Sequence, residues 1–408
     1  MSTATPPPPP DPDARTLLVT LSGRDRPGVT SALFDAASTV GAEVLDVEQV
    51  VVRGHLALSV LLSPGPDENV LADRLTRAGE DLGMQVELSV GRGDNAPRRT
   101  GRAAVVLMGS PLETRHVAAV AHAVAEHGAN IDRIRRLSRW PVTTVELDVS
   151  GADLDALRRD LALVSAGSGA DIAVAPAGLA RRGARLVVLD VDSTLIQDEV
   201  IELIAEHAGT VAEVAAVTEA AMRGELDFAE SLHARVATLA GLPVSVLDEV
   251  RAAVRLTPGA RTLVRTLKAL GFTVAVVSGG FAEVVEPLAH ELGVDHVRAN
   301  RLEVEDGRLT GRVVGAVVDR AGKAAALREL AAGLGLPLTR TVAIGDGAND
   351  LDMLAAAGLG VAFNAKPMVR AQADTSVNVP YLDTVLFLLG VSREEIEEAD
   401  AAAGAPLG

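Results

Sequence analysis

Two aspartates, Asp190 and Asp192, stand one residue apart where a nearly all-apolar run stops, in "RLVVLDVDSTL". Residues two apart on an extended chain point to the same side, so the two carboxylates can flank one reacting group. One can attack while the other supplies a proton. Attack on phosphorus would form an aspartyl-phosphate and split a hard hydrolysis into two steps. Asp192, shielded by a lid, would then protonate the leaving alkoxide and activate water.

Other residues of matching chemistry follow along the chain. "VVSGGF" sets Ser278 and Gly279 after a second apolar run, "VDRAGKAAAL" opens a helix with Lys323, and "IGDGAND" holds Asp346 and Asp350 four residues apart. A hydroxyl, a backbone N–H and an ammonium all suit a phosphate. Carboxylates clustered without His or Cys favour Mg²⁺, with Asp346 as a direct ligand and Asp350 holding its waters. Each piece has an ordinary explanation taken singly: a cap pair, a tight turn, a strand-to-helix connection, a solvated lysine. Their joint order on successive strand ends favours catalysis, because ligands of a parallel sheet sit beyond the carboxyl ends of its strands.

The positioning elements are legible from patterning. Beyond Arg185, "RLVVLDV", "TVAVVSGG" and "TVAIGDG" are near-continuous apolar runs separated by helical stretches, as expected for a parallel sheet covered on both faces. A helical insertion at about 199–256 reads as a lid. The first half is different: "TLLVTLSG", the turn "RDRPGV", an amphipathic helix, a hairpin turning near Arg53-Gly54, a helix at about 67–82 and "MQVELSV" spell βαββαβ. The pattern recurs from "AAVVLMGSP" to about residue 176, with Gly128-Ala129 in the place of Gly41-Ala42. The expected organisation is therefore a Pro-rich tail (1–13), two small α/β units (14–92 and 102–176), a phosphatase-like domain (182–395) and a flexible C-terminal tail (396–408).

Bulk properties exclude several functions. The chain has 408 residues, a net charge of −17, no cysteine, one Trp and one Tyr. No basic stripe offsets that charge, so nucleic acid is an unsuitable partner. No disulfide framework exists, and no apolar run or leader suggests a membrane or export, so a cytoplasmic protein is expected. Only three lysines occur among 38 basic residues, which makes a lysine beside a site informative.

"DVDSTL", "VVSGGF", the lysine of "DRAGK" and "IGDGAND" together resemble the four motifs of the haloacid dehalogenase superfamily, and the whole chain resembles its phosphoserine phosphatase family with two N-terminal ACT domains. The resemblance implies a Rossmann-like α/β sheet with a helical cap, preceded by two ferredoxin-like domains. It implies Asp190 as nucleophile, Asp192 as acid/base whose backbone carbonyl reaches Mg²⁺, and Asp346 as the remaining ligand. It further implies that Glu199 holds the ammonium of O-phospho-L-serine and Arg235 its carboxylate, that Met222 and Phe228 close over the site, and that Asn349 contacts substrate or phosphate. One anion and one bidentate cation suit a small zwitterion.

ACT domains commonly pair their sheets and bind amino acids, which implies L-serine as an effector, Gly23 and Gly109 near it, and a homodimer or larger assembly. The second unit, with "GSPLETRH", lacks the Pro-Gly of the first. Two rival readings stay open here: a phospho-aspartate signalling module, and a phosphatase acting on another small phosphomonoester or a phosphoprotein.

Overall fold

The structure, a computed structural model, describes residues 13–93, 100–177, 185–222 and 227–402; the side chains of 176, 221, 222 and 402 lie outside the description. Most of the expected N-terminal tail, most of both linkers and residues 403–408 also lie outside the described residues. Two compact units divide the chain at residue 98.

The N-terminal unit has four strands, β1 (Arg15–Arg24), β2 (Glu43–Val52), β3 (His55–Ser63) and β4 (Gln85–Arg92), and two helices, α1 (Val29–Ser38) and α2 (Glu68–Asp81). The sheet order is β2-β3-β1-β4 and every neighbouring pair is antiparallel. Strict alternation on β3, with Leu56, Leu58, Val60 and Leu62 buried, turns one sheet face toward the helices. Arg53 and Gly54 both have positive φ, which closes the hairpin with the twist its strands need.

The second unit opens with the repeat of that pattern: β5 (Ala103–Gly109), α3 (Thr114–Glu126), β6 (Asn130–Ser138), β7 (Thr143–Ser150), α4 (Leu154–Ser168) and β8 (Asp171–Pro176), in the order β6-β7-β5-β8. Gly41 and Gly128 both lie in the left-handed region, so the repeated Gly-Ala pair ends a helix the same way twice. β5 is buried along its whole length because both its faces are covered. Val105 and Leu107 meet the helices of their own repeat, while Val106 and Met108 join the core of the C-terminal domain.

That C-terminal domain is a seven-stranded sheet. Its strands are β9 (Leu186–Leu189), β10 (Thr273–Phe281), β11 (His296–Glu305), β12 (Arg308–Val314), β13 (Thr341–Gly345), β14 (Leu359–Phe363) and β15 (Thr375–Val377), in the order β12-β11-β10-β9-β13-β14-β15. All neighbours are parallel except the β11–β12 hairpin. β9 sits in the middle, so the residue after it emerges at the centre of the carboxyl edge. Four helices form the insertion: α5 (Val200–Ala208), α6 (Val211–Met222), α7 (Phe228–Ala237) and α8 (Val246–Ala253). Its two connections are tied together: Gln197 N–H donates to Arg255 O at 2.9 Å, and the Asp198 carboxylate accepts from the Arg255 backbone N–H at 2.8 Å and from its guanidinium. The cap therefore hangs from one double-stranded stalk.

The C-terminal stretch departs from expectation. Instead of a flexible tail from 396, a helix runs over Arg393–Ala402. Ile396 is fully buried in the core, and the buried Asp400 pairs with Arg265 at 2.5 Å. A stretch dominated by Glu and Ala hid one apolar anchor and one ion pair.

β8 of the second repeat lies beside β15. Asp171, buried, accepts from Asn378 N at 2.7 Å and Asn378 Nδ2 at 2.5 Å, and Thr375 Oγ1 donates to Ile172 O at 3.2 Å. Replacing Asp171 with Ala would leave a backbone N–H without its partner. We expect Asp171→Ala to lose about 2 kcal/mol in urea unfolding, with kcat retained; an unchanged midpoint would show that the joint adds nothing.

Candidate active site

Strand β9 ends at Leu189 and the chain does not stay extended. Asp190 N–H still bonds Ile344 O of β13 at 2.9 Å, but residues Val191–Leu195 wind into a turn with Ser193 in the left-handed region. The two carboxylates thus part company, contrary to the simple expectation of one shared side. Asp190 turns toward the sheet edge, where its Oδ2 meets Lys323 Nζ at 2.7 Å. Asp192 turns toward the cap, where its Oδ1 accepts from Val200 N–H at 2.9 Å and its Oδ2 from Ser278 Oγ at 3.3 Å. Both still line a single cavity of about 650 Å³.

Lys323 is placed by the helix Arg320–Gly333, whose start is fixed by Asp319 accepting from Gly322 N–H at 2.7 Å. Its ammonium is fully buried between Asp190 and Asp350, 2.7 Å from each. Burial alone would discharge it, but the two carboxylates outweigh burial and raise its pKa above the ordinary lysine value. Asp350 is equally buried, and its second oxygen accepts from Gly347 N–H at 2.9 Å. Asp350 therefore braces the lysine and the loop, a more direct part than holding waters.

Asp346 lies just past β13, and the buried Thr194 hydroxyl donates to its Oδ1 at 3.0 Å. Carboxylate oxygens of Asp190, Asp346 and Asp350 all come within 4.8 Å of one another. Burial and the Asp350 charge push Asp190 well above its ordinary pKa and Asp346 up to about 6. Three carboxylates around one ammonium leave an excess of negative charge in a buried place. A hard divalent cation fits that all-oxygen set and would relieve the excess. The Asp192 side chain stands outside this cluster. It is pushed up to about 7 by burial and by the neighbouring Glu199 charge, a value suited to giving and taking a proton near neutrality.

On the cap side, Glu199 begins α5 and accepts from Ser193 Oγ at 2.8 Å. Arg235 reaches the same cavity from α7, with its Nε donating to Ser231 O at 3.3 Å. Glu199 and Arg235 feel each other's charge without an ion pair between them. Phe228 opens α7, and its ring tip lies 3.1 Å from where a Cβ on Gly279 would stand. Asn349 lines the cavity. Met222 ends α6, but its side chain lies outside the described residues.

Several participants carried no readable signal. Asn300, buried on β11, donates to Gly279 O and accepts from Val318 N–H, both at 2.8 Å, so one amide ties the serine loop to the approach of the lysine helix. Lys366 and Met368, after β14, also line the cavity. Gly280 is more tightly enclosed than Gly279: a Cβ there would stand 2.8 Å from Asp192 Oδ2 and 3.0 Å from Ser278 Oγ. The Ser278 hydroxyl is meanwhile engaged by Asp192 and by Gly280 N–H at 2.8 Å. Gly280→Ala should displace the Asp192 carboxylate, lowering turnover roughly 10- to 100-fold with an unfolding temperature close to wild type. Full activity in that variant would show that the tight approach is unnecessary.

In the two ACT-like repeats, Gly23 and Gly109 are closed in by their own chain. A Cβ would meet Met84 Sδ at 2.7 Å and Pro111 O at 3.0 Å, respectively.

Comparison with known proteins agrees with this layout. A family model described as haloacid dehalogenase-like hydrolase matches residues 187–355, and two described as ACT domain match 15–89 and 102–175. A phosphoserine phosphatase of Streptomyces coelicolor is 60% identical over 393 residues, covering 96% of each chain. One from Mycobacterium tuberculosis is 54% identical over 392 residues, covering 94% of this chain and 95% of its own. The solved structure of a probable phosphoserine phosphatase from Vibrio cholerae, unliganded, aligns with a TM-score of 0.56 at 35% identity, over 72% of this chain and 88% of that one.

Proposed function

The chain belongs to the haloacid dehalogenase-like hydrolases and, within them, to the phosphoserine phosphatases with two ACT domains, and from that premise we propose that it hydrolyses O-phospho-L-serine to L-serine and phosphate. The observation that carries the chemistry is the Asp190–Lys323–Asp350 chain of contacts at the centre of the sheet edge.

In this reading the phosphate is seated against Asp190, with Ser278, the Gly279 N–H and Asn349 around it. A carboxylate oxygen of Asp190 bonds to phosphorus as the bond to the serine oxygen breaks. Asp192 gives that leaving oxygen its proton. Deprotonated Asp192 then takes a proton from water, whose oxygen attacks the phosphoaspartate and returns Asp190 to its free form. Lys323 keeps the nucleophile oriented throughout. Asp190, Asp346 and the Asp192 backbone carbonyl, with Asp350 behind them, would hold Mg²⁺, whose charge would offset that of the phosphate.

Glu199 and Arg235 read the amino acid end. Both are partly withdrawn from water and line one cavity without an ion pair among the described residues, which suits the ammonium and carboxylate of a substrate small enough to lie between them. No helix among the described residues is long and apolar enough to cross a membrane, in keeping with a cytoplasmic enzyme acting on a free metabolite. The ACT domains make L-serine a fitting effector and the homodimer a fitting assembly.

The substrate is tested by comparison. Glu199→Gln and Arg235→Ala should lower kcat/KM for phosphoserine about 100-fold or more, yet lower that for an aryl phosphate less than about fivefold. Equal losses on both substrates would contradict the assignment and favour another phosphomonoester.

A further inference from the structure

An exposed cation lines the active cavity from the sheet side, across from the half-buried Arg235 of the cap. Lys366 follows β14, two strands from Asp190, and it is one of the chain's three lysines. Its backbone is firmly held: Lys366 O accepts from Val369 N–H at 2.9 Å and Arg370 N–H at 3.1 Å, and Asn364 N–H two residues earlier bonds Val377 O at 2.8 Å. The side chain is exposed and makes no ion pair among the described residues. Nothing in the packing therefore needs its charge.

The electrostatics of approach do need it. The chain carries −17, and the cavity wall holds the carboxylates of Asp190, Asp192, Glu199 and Asp346. Lys323 is fully buried and committed to two of the aspartates, so it offers little to a phosphate still outside. Arg235 stands on the cap. On the sheet side of the wall, Lys366 is the cation that an arriving phosphate dianion meets. A charge at a cleft mouth raises the local concentration of an oppositely charged ligand and loses that effect as salt screens it.

We propose that Lys366 recruits the phosphate end of the substrate, a part distinct from that of Arg235 at the amino acid end. The inference rests on the phosphatase reading above. Because the backbone and not the side chain makes the local turn, Lys366→Met can be compared with Lys366→Arg at constant fold.

For the magnesium-supplied enzyme at low ionic strength, K366M should raise KM about tenfold for phosphoserine and for an aryl phosphate alike, with kcat within about twofold. Added salt should raise the wild-type KM steeply and the K366M value much less, and K366R should restore both KM and salt slope. An unchanged KM and salt slope in K366M would overturn the proposal. So would a loss confined to phosphoserine, which would move Lys366 to the carboxylate. Should the wild type ignore phosphoserine but cleave the aryl phosphate, the substrate reading fails, and the same comparison on the aryl phosphate still decides for or against Lys366.

Discussion

Replacing Asp190 with Asn is expected to lower kcat at least about ten-thousand-fold, with the fold intact. The substitution keeps the shape of the side chain and its 2.7 Å bond from Val191 N–H, while removing the oxygen that would bond to phosphorus. Asp190 is 3% exposed, so no neighbouring group can take its place without rebuilding the strand end. A native circular-dichroism spectrum, together with lost phosphate release, is the expected pair of results, because Lys323 keeps its second partner Asp350. Retention of most of the turnover would show that water attacks phosphorus directly and that Asp190 only orients it. The signalling alternative predicts a different wild type: a long-lived phosphoprotein with negligible turnover. The cap-facing Asp192, poised near neutrality by burial and Glu199, argues against that alternative because it can activate the water that ends the intermediate.

Lys323→Met should damage both activity and stability. Methionine fills similar volume, but Asp190 and Asp350 would face each other in a buried place without the ammonium between them. Breaking a buried ion pair by removing one partner costs about 3–5 kcal/mol, and loss of orientation at the nucleophile should cut kcat about a thousand-fold or more. The stability deficit has a definite pH sign. Asp190, held well above the ordinary carboxylate range by burial and the Asp350 charge, would bind its proton still more tightly in the folded variant than in the unfolded chain, so the variant's stability should rise as pH falls from neutrality through that raised folded pKa. Urea unfolding of both proteins across that range checks this. A deficit independent of pH would mean that packing, and not charge, is what Lys323 supplies.

How much of this could be read from the chain differs by residue. The mounts were plain, because a buried parallel strand writes itself as an unbroken apolar run, and the chemical groups sit where each run stops. Asp190, Lys323 and Asp346 come together as that pattern implies. What the pattern concealed depends on contacts distant in sequence. The separation of Asp190 from Asp192 arises from the turn at Ser193. The brace from Asp350 to Lys323 spans 27 positions, and that from Thr194 to Asp346 spans 152. Gly280 is one of two adjacent glycines in the sequence, and only the fold brings the Asp192 carboxylate against it. Asn300, on a strand of ordinary polarity, gave no sign of tying two motifs together. The C-terminal helix is hidden for a related reason: its polar majority outweighs Ile396, whose partners lie far back in the chain.

The decisive step is the formation of a covalent bond between phosphorus and residue 190. It is tested most directly by quenching the enzyme during turnover of phosphoserine, reducing acyl phosphates with borohydride and sequencing the peptides by mass spectrometry. Homoserine at position 190, absent without substrate and absent in Asp190→Asn, is the predicted result. Reduction at Asp192 instead, or none at either position while phosphate is being released, would contradict it.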